Sequence, residues 1–358
     1  MKRRDFFKSF SSMALIGALP SIARAKKNQP EYNWKMVTTW PKNFPGLGTG
    51  AQYLANTINK LSGGRIKVTV YGSGELVPAF EIFDAVSNGV AELGHGSAYY
   101  WKGKNDTFQF FSTVPFGMTA NEMNAWLYKG GGMALWEEAY KDFNLVPMAA
   151  GNTGVQMGGW FNKEINSLND LKGLKMRIPG LGGEVLKRAG GTPVNLPGGE
   201  LFTALKTGTI DATEWVSPYN DLAFGLHKAA KYYYYPGWHE PGTTLECFVN
   251  KDKYEELPED LKSILLGASK MANIDMLCEI ISKNNEALEV LKNKHNVDIR
   301  SYPEEVLNEL YEISIKVVKE LSLSSDFAKE VYNSYASFQK KTRNWNDISI
   351  KPYLNANK

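Results

Sequence analysis

Arg177 lies in the run Leu174-Lys175-Met176-Arg177-Ile178-Pro179, which alternates like a strand and stops at a proline. Burying a guanidinium in an otherwise apolar run is expensive unless it meets an anion. Its planar fork matches a carboxylate with two parallel hydrogen bonds, a geometry that lysine does not offer. The anion is either an internal Asp or Glu or the carboxylate of a bound molecule. Acidic and aromatic residues recur in other runs. Glu214-Trp215 follows the strand-like segment 209–213, and Trp238-His239-Glu240-Pro241 follows Tyr232-Tyr233-Tyr234-Tyr235. Gln156 sits in Asn152-Thr153-Gly154-Val155-Gln156-Met157-Gly158. Carboxylates at strand ends beside aromatic side chains suggest a cleft at the carboxyl edge of a sheet. Trp215 and Trp238 fit equally well as core aromatics.

Motifs of covalent and cofactor chemistry are absent from the sequence. There is no G-x-S-x-G elbow, no phosphate loop with G-K-[ST] and no H-E-x-x-H. The glycine runs at 130–132, 182–183 and 198–199 lack dinucleotide-binding spacing and read as loops and helix starts. Two cysteines, Cys247 and Cys278, and four histidines give no structural zinc pattern. The two thiols could pair in an oxidising compartment.

The elements that must position these residues begin after an N-terminal leader, read as residues 1–25. Met1-Lys2-Arg3-Arg4-Asp5-Phe6-Phe7-Lys8 resembles the twin-arginine export signal of bacteria, followed by a short apolar stretch and the processing pattern Ala23-Arg24-Ala25. A bilayer span takes roughly twenty apolar residues, more than this stretch or any later one supplies. Residues 2–24 hold five basic side chains and one acidic one, so the +3 of the 358-residue chain becomes −1 without them. The basic balance therefore belongs to the leader and implies no nucleic-acid surface. The expected destination is the periplasm. Twin-arginine substrates resemble one another in folding before export, in a reducing cytoplasm, which argues against a disulfide.

The rest of the chain exceeds one ordinary core, so two lobes are expected. Segments 34–39 and 66–70 read as strands, 50–61 and 80–87 as helices, and Ala91-Glu92-Leu93 begins another strand. That β-α-β-α-β order predicts an α/β fold with mainly parallel sheets. Phe83-Asp84-Ala85-Val86-Ser87-Asn88-Gly89 is echoed by Phe202-Thr203-Ala204-Leu205-Lys206-Thr207-Gly208; each is an apolar helix halted at a glycine suited to a left-handed cap. Lobe I is expected over 26–150, with later segments returning to it, and lobe II over 151–250. The strand-like Trp160-Phe161-Asn162 and 245–250 are candidates for chains that cross between the lobes at a hinge. Residues 251–358 read as a helical region completing the lobes. Its helices are predicted at 261–291, 303–321 and 327–345, and the last carries Tyr332, Tyr335 and Phe338 as core aromatics or a dimer contact.

Over essentially its whole length after the leader, the chain resembles the solute-binding subunits of tripartite ATP-independent periplasmic (TRAP) transporters. The resemblance is carried by Gly72-Ser73-Gly74-Glu75-Leu76, by Leu168-Asn169-Asp170-Leu171-Lys172-Gly173-Leu174-Lys175-Met176-Arg177, and by Ala204-Leu205-Lys206-Thr207-Gly208-Thr209-Ile210-Asp211-Ala212. It implies a two-lobed periplasmic binding protein fold, type II-like, with a hinge and long C-terminal helices, and it places Arg177 as the carboxylate-binding arginine. Gln156, Glu214-Trp215 and Glu240 resemble the branch that binds 2-oxo or 2-hydroxy monocarboxylates with a metal cation. There the glutamine oxygen, the two glutamates and the Trp215 carbonyl would be cation ligands. Tyr100 falls where that branch sets an aromatic against the ligand, with Tyr99 and Trp101 as neighbours, and Asn152 is a further candidate contact.

Charge counting points the same way. Two glutamates, one arginine and a bound carboxylate leave a dry cleft with an excess of two negative charges, at a cost of several kcal/mol per ion. Sodium halves that excess and calcium cancels it. Oxygen ligands suit both and disfavour zinc or copper. The resemblance thus implies capture of pyruvate, lactate or a longer 2-oxo acid by hinge closure, for a TRAP membrane permease, without bond making. A periplasmic cofactor-containing oxidoreductase and a ligand sensor are the rival classes; the first needs a cofactor motif that the sequence lacks. A homodimer through the C-terminal helix is also expected as an option.

Overall fold

The computed structural model describes residues 31–356, so the leader read at 1–25 lies outside the described residues. Among the described residues, no helix is long and apolar enough to cross a membrane. The strands are β1 (Tyr32–Thr38), β2 (Ile66–Tyr71), β3 (Leu93–Gly96), β4 (Leu145–Asn152), β5 (Gly159–Phe161), β6 (Lys175–Arg177), β7 (Thr192–Val194), β8 (Ala212–Thr213), β9 (Tyr232–Tyr235), β10 (Thr244–Asn250) and β11 (Asp298–Ser301). They build two sheets, one ordered β2-β1-β3-β10-β4 and the other β11-β9-β5-β8-β6-β7.

The sheets repeat one plan. In the first, β1 runs parallel to β2 and β3, and β10 is inserted antiparallel between β3 and β4. In the second, β6 runs parallel to β7 and β8, and β5 is inserted antiparallel between β8 and β9. Each inserted strand comes from the other half of the chain. The sequence echo falls on equivalent positions, because helix Ile82–Ser87 precedes β3 and helix Leu201–Lys206 precedes β8. Both following glycines are left-handed, Gly89 at φ 74° and Gly208 at φ 75°, as an αL helix stop requires.

This plan changes one boundary expected from sequence. Residues 244–250 belong to the first sheet, not to a lobe ending at 250. The chain makes two short crossings between sheets, at 153–158 after β4 and at 236–243 before β10, and crosses again between β10 and β11. Trp160-Phe161-Asn162 was expected to be a crossing, but Trp160 and Phe161 lie inside the second sheet. Local reading found these strands but could not show which sheet each would join, since that depends on long-range pairing. The two crossings are tied together by backbone hydrogen bonds from Thr153 N to Thr243 O (3.0 Å), Gln156 N to Glu240 O (3.2 Å) and Gly237 N to Gln156 O (2.8 Å).

The long helix Glu259–Glu289 would run about 46 Å at 1.5 Å per residue. It packs against β4 and helix Leu47–Leu61 on one lobe and helix Pro218–Phe224 on the other. Helix Glu304–Leu321 packs on helix Gly180–Arg188, where Arg188 forks onto Glu320. Helix Asp326–Asn346 returns to lobe I. Its Tyr335 is buried and its hydroxyl accepts from Met118 N at 2.9 Å, so this aromatic is core. Cys247 is buried, Cys278 is exposed, and both are free thiols.

Gly237 approaches Gln156 so closely that an added Cβ would overlap the Gln156 carbonyl oxygen. Gly237→Ala is expected to force the two crossings apart and destabilise the protein by about 1–3 kcal/mol, the usual cost of overpacking. Thermal denaturation of the variant checks this as a lowered Tm.

Candidate functional site

Each lobe offers the carboxyl ends of its parallel strands to the cleft between the sheets. Tyr100 follows β3, and Glu214 and Trp215 follow β8, the equivalent strand. Arg177 closes β6. Gln156 lies on the first crossing, and His239 and Glu240 on the second. The architecture therefore brings residues from five segments to one point.

Their side chains are sealed from solvent: Arg177 is 1% exposed, Glu214 0%, Gln156 3%, His239 1% and Glu240 2%. The Arg177 guanidinium forms an ion pair with Glu214, donates to Leu196 O at 3.1 Å and to the Tyr100 hydroxyl at 3.2 Å, and lies over the Trp215 ring at 5.2 Å. An internal acid thus does partner Arg177, and that acid is itself part of the cluster. Of the three adjacent aromatics, Tyr100 bonds the arginine. Trp101 turns inward to donate to Glu246 at 2.6 Å, and Tyr99 is buried.

Gln156 orients itself by donating from Nε2 to Glu240 Oε2 at 2.7 Å and to Thr153 Oγ1 at 3.0 Å. This leaves its Oε1 as an acceptor. Among the described residues, Gln156 Oε1 and Glu214 Oε2 are buried without a hydrogen-bond donor. An unmatched buried polar atom costs about 1–3 kcal/mol. Carboxylate oxygens of Glu214 and Glu240 and a ring nitrogen of His239 also lie within 4.8 Å of one another. Two buried acceptors without donors, one of them on a residue of this converging group, fit a cation.

Asn152 has a different environment. Its Oδ1 accepts from Gly154 N at 2.8 Å, and its Nδ2 reaches Gly242 O and Thr244 Oγ1 at 3.4 Å, pinning one crossing to the other. Trp215 packs edge-on to Trp40 and Phe44 at 6.2 Å, and Trp40 also meets Tyr100 at 6.3 Å. These rings form an apolar wall contributed by both lobes. Trp238 is buried and stacks on Phe116 at 5.9 Å.

A buried acid underlies the site. Asp221 accepts from Trp160 Nε1 at 2.9 Å, from Tyr233 Oη at 2.7 Å and from Val216 N at 3.1 Å. The last bond holds the backbone immediately after Glu214-Trp215. This accounts for part of the tyrosine run, since Tyr233 stacks on Trp160 at 4.0 Å while serving Asp221. Sequence reading assigned no role to Asp221, Trp40 or His239. The His239-Glu240 adjacency was the available signal for the last of these.

Burial dominates the electrostatics. It pushes the Glu214 carboxyl up to about 7, with Arg177 offsetting part of the shift. Burial and then the charge of Glu214 push Glu240 up to about 7. Burial drives His239 down to about 4, so its imidazole is neutral at pH 7. Desolvation opposes the charged form of Arg177, but Glu214 and its other neighbours outweigh it, and the guanidinium stays protonated.

The family model for bacterial extracellular solute-binding protein, family 7, matches residues 36–324. The chain belongs to this family. It is 41% identical over 360 residues, 99% of this chain and 98% of the relative, to a monocarboxylate 2-oxoacid-binding periplasmic protein of Nostoc sp. strain PCC 7120. A TRAP periplasmic solute-binding protein of Pseudoalteromonas atlantica T6c, solved with sodium and pyruvate, matches at TM-score 0.88 and 43% identity, covering 90% of this chain and 98% of that one. Its counterpart from Colwellia psychrerythraea, solved with calcium and pyruvate, matches at TM-score 0.88 and 44% identity, covering 91% and 99%. The family 7 chain described here therefore has the two-lobed α/β fold of TRAP solute-binding proteins.

The raised carboxyls would make the uptake of a cation here pH-dependent. Ligation needs them ionised, so cation affinity is expected to fall as pH drops through about 7, with proton release on binding near and below it. Cation-free protein should behave oppositely. Carboxyls raised from 4.5 to about 7 favour the folded state when protonated, so its stability declines as pH rises across that window. Calcium titration calorimetry and thermal melts at several pH values check both signs.

Proposed function

We propose that this chain captures a small 2-oxo or 2-hydroxy monocarboxylate, such as pyruvate, lactate or a longer 2-oxo acid, together with sodium or calcium, and presents it to a TRAP permease. The observation that carries this reading is the buried Arg177–Glu214 pair in one cluster with Glu240 and Gln156, where Glu214 Oε2 and Gln156 Oε1 lack donors. The relatives' bound pyruvate and cations point the same way.

In this reading Arg177 Nη atoms select the carboxylate, with the Tyr100 hydroxyl as a second polar contact. Gln156 Oε1, Glu214, Glu240 and the Trp215 carbonyl hold the cation. When bound, that cation supplies positive charge for the acid's oxygens and offsets the two glutamates. Trp40, Trp215 and Tyr100 limit the length of the acid's chain. Asn152, a candidate contact by sequence, holds the crossings together as the lobes close. Closure completes the site because Tyr100 and Trp40 come from one lobe and Arg177 and Trp215 from the other. Such a site binds and releases; it makes no bond. The twin-arginine leader would deliver the folded protein to the periplasm.

Export and assembly extend the proposal. Beyond the packed part of the last long helix, Trp345, Ile348, Tyr353 and Leu354 are 61–74% exposed, which supports a homodimer contact at this tail. Sedimentation equilibrium should give twice the monomer mass and, after Trp345→Glu with Tyr353→Glu, the monomer mass.

Arg177→Ala is expected to weaken pyruvate binding by at least about 2 kcal/mol, roughly thirtyfold, because a buried anion loses its charged partner. Titration calorimetry of desalted, chelator-treated protein checks this and the cation together. Pyruvate affinity should fall without cation and recover with calcium, and near-wild-type affinity in Arg177→Ala would overturn the assignment.

A further inference from the structure

His239 has no role in the reading above. It is 1% exposed, and among the described residues neither ring nitrogen has a hydrogen-bond partner. Leaving an imidazole dry and unmatched is costly, so its position in the cluster requires a reason. Its Nε2 lies 3.6 Å from Glu214 Oε2, the carboxylate oxygen that also lacks a donor. A donor nitrogen and an acceptor oxygen at hydrogen-bond distance would have satisfied each other; at 3.6 Å they do not. That spacing is what two ligands of one ion adopt, and ligand atoms of Glu214, His239 and Glu240 all fall within 4.8 Å of one another.

We propose that His239 is a nitrogen ligand to the cation of this site, so that the site accepts borderline divalent ions such as manganese(II) as well as sodium and calcium. The inference rests on the cation-assisted reading above and extends it. Oxygen-only sites favour hard ions, whereas imidazole favours first-row transition metals. A neutral imidazole also adds no charge to a cleft whose balance two glutamates already set. A divalent ion leaves the same net charge as calcium, so selectivity among divalents passes to ligand type. His239 is fixed for this task by its place on the second crossing, next to Glu240, so the same backbone movement that closes the lobes sets both ligands.

The test uses the whole protein with pyruvate and manganese(II) as the probe. In the wild type, electron spin echo modulation of bound manganese should carry the nitrogen signature of an imidazole, and His239→Gln should abolish it. The variant should also lower manganese affinity relative to calcium affinity by about tenfold or more, as loss of a metal-site partner does. A nitrogen-free manganese spectrum, or equal weakening of both ions in His239→Gln, would overturn the inference while leaving calcium-dependent capture standing. Pyruvate binding that chelator leaves unchanged would remove the cation reading and this inference together.

Discussion

The structure depends on an imbalance of charge that burial makes severe. Glu214 and Glu240 meet in a space closed to water, and among the described residues Arg177 is the cation that opposes them. In that environment both carboxyls are driven towards the protonated form, and atoms that should have partners have none. The protein thus holds in its closed cleft an arrangement that is unfavourable alone and favourable once positive charge enters. Selectivity and closure then share one cause. In the proposed function, the lobes would close well only over a guest that repairs the electrostatics, because the repairing atoms must come from outside.

The fold's duplicated plan makes this arrangement available. Two sheets of matching topology point equivalent strand ends at each other, so Tyr100 after β3 faces Glu214 and Trp215 after β8. The exchanged strands β5 and β10 are each entered by a short crossing, and these two crossings carry Gln156, His239 and Glu240. In the proposed function, residues that hold the cation thus lie on the segments joining the lobes. Beneath them Asp221, held by Trp160 and Tyr233, fixes the backbone after Trp215. On this footing lobe II presents Arg177 and Glu214 as a prepared unit, and lobe I brings the aromatic wall to it.

Much of this was legible in the sequence because its causes are local. Alternation in 66–70, the amphipathic run 50–61 and the glycine stops at 89 and 208 depend on neighbours a few residues away, and the corresponding elements have those positions. Arg177 stood out because a guanidinium in an apolar strand demands an anion wherever it folds. What escaped depends on distant pairing. Residues 244–250 read correctly as a strand, yet their membership of the first sheet follows only from pairing with β3 and β4. Arg177 and Glu214 are 37 residues apart, and no local rule joins them. His239 was visible as a neighbour of Glu240, but its lack of any partner is a property of the packed cleft.

The most direct measurement of the central claim is a crystal structure of the protein grown with pyruvate and calcium, with the ion located by anomalous scattering. One ion is expected within about 2.3–2.6 Å of oxygens from Gln156, Glu214 and Glu240, with a pyruvate carboxylate on the Arg177 fork. Pyruvate bound with no ion between those side chains, or Arg177 turned away from the carboxylate, would contradict it.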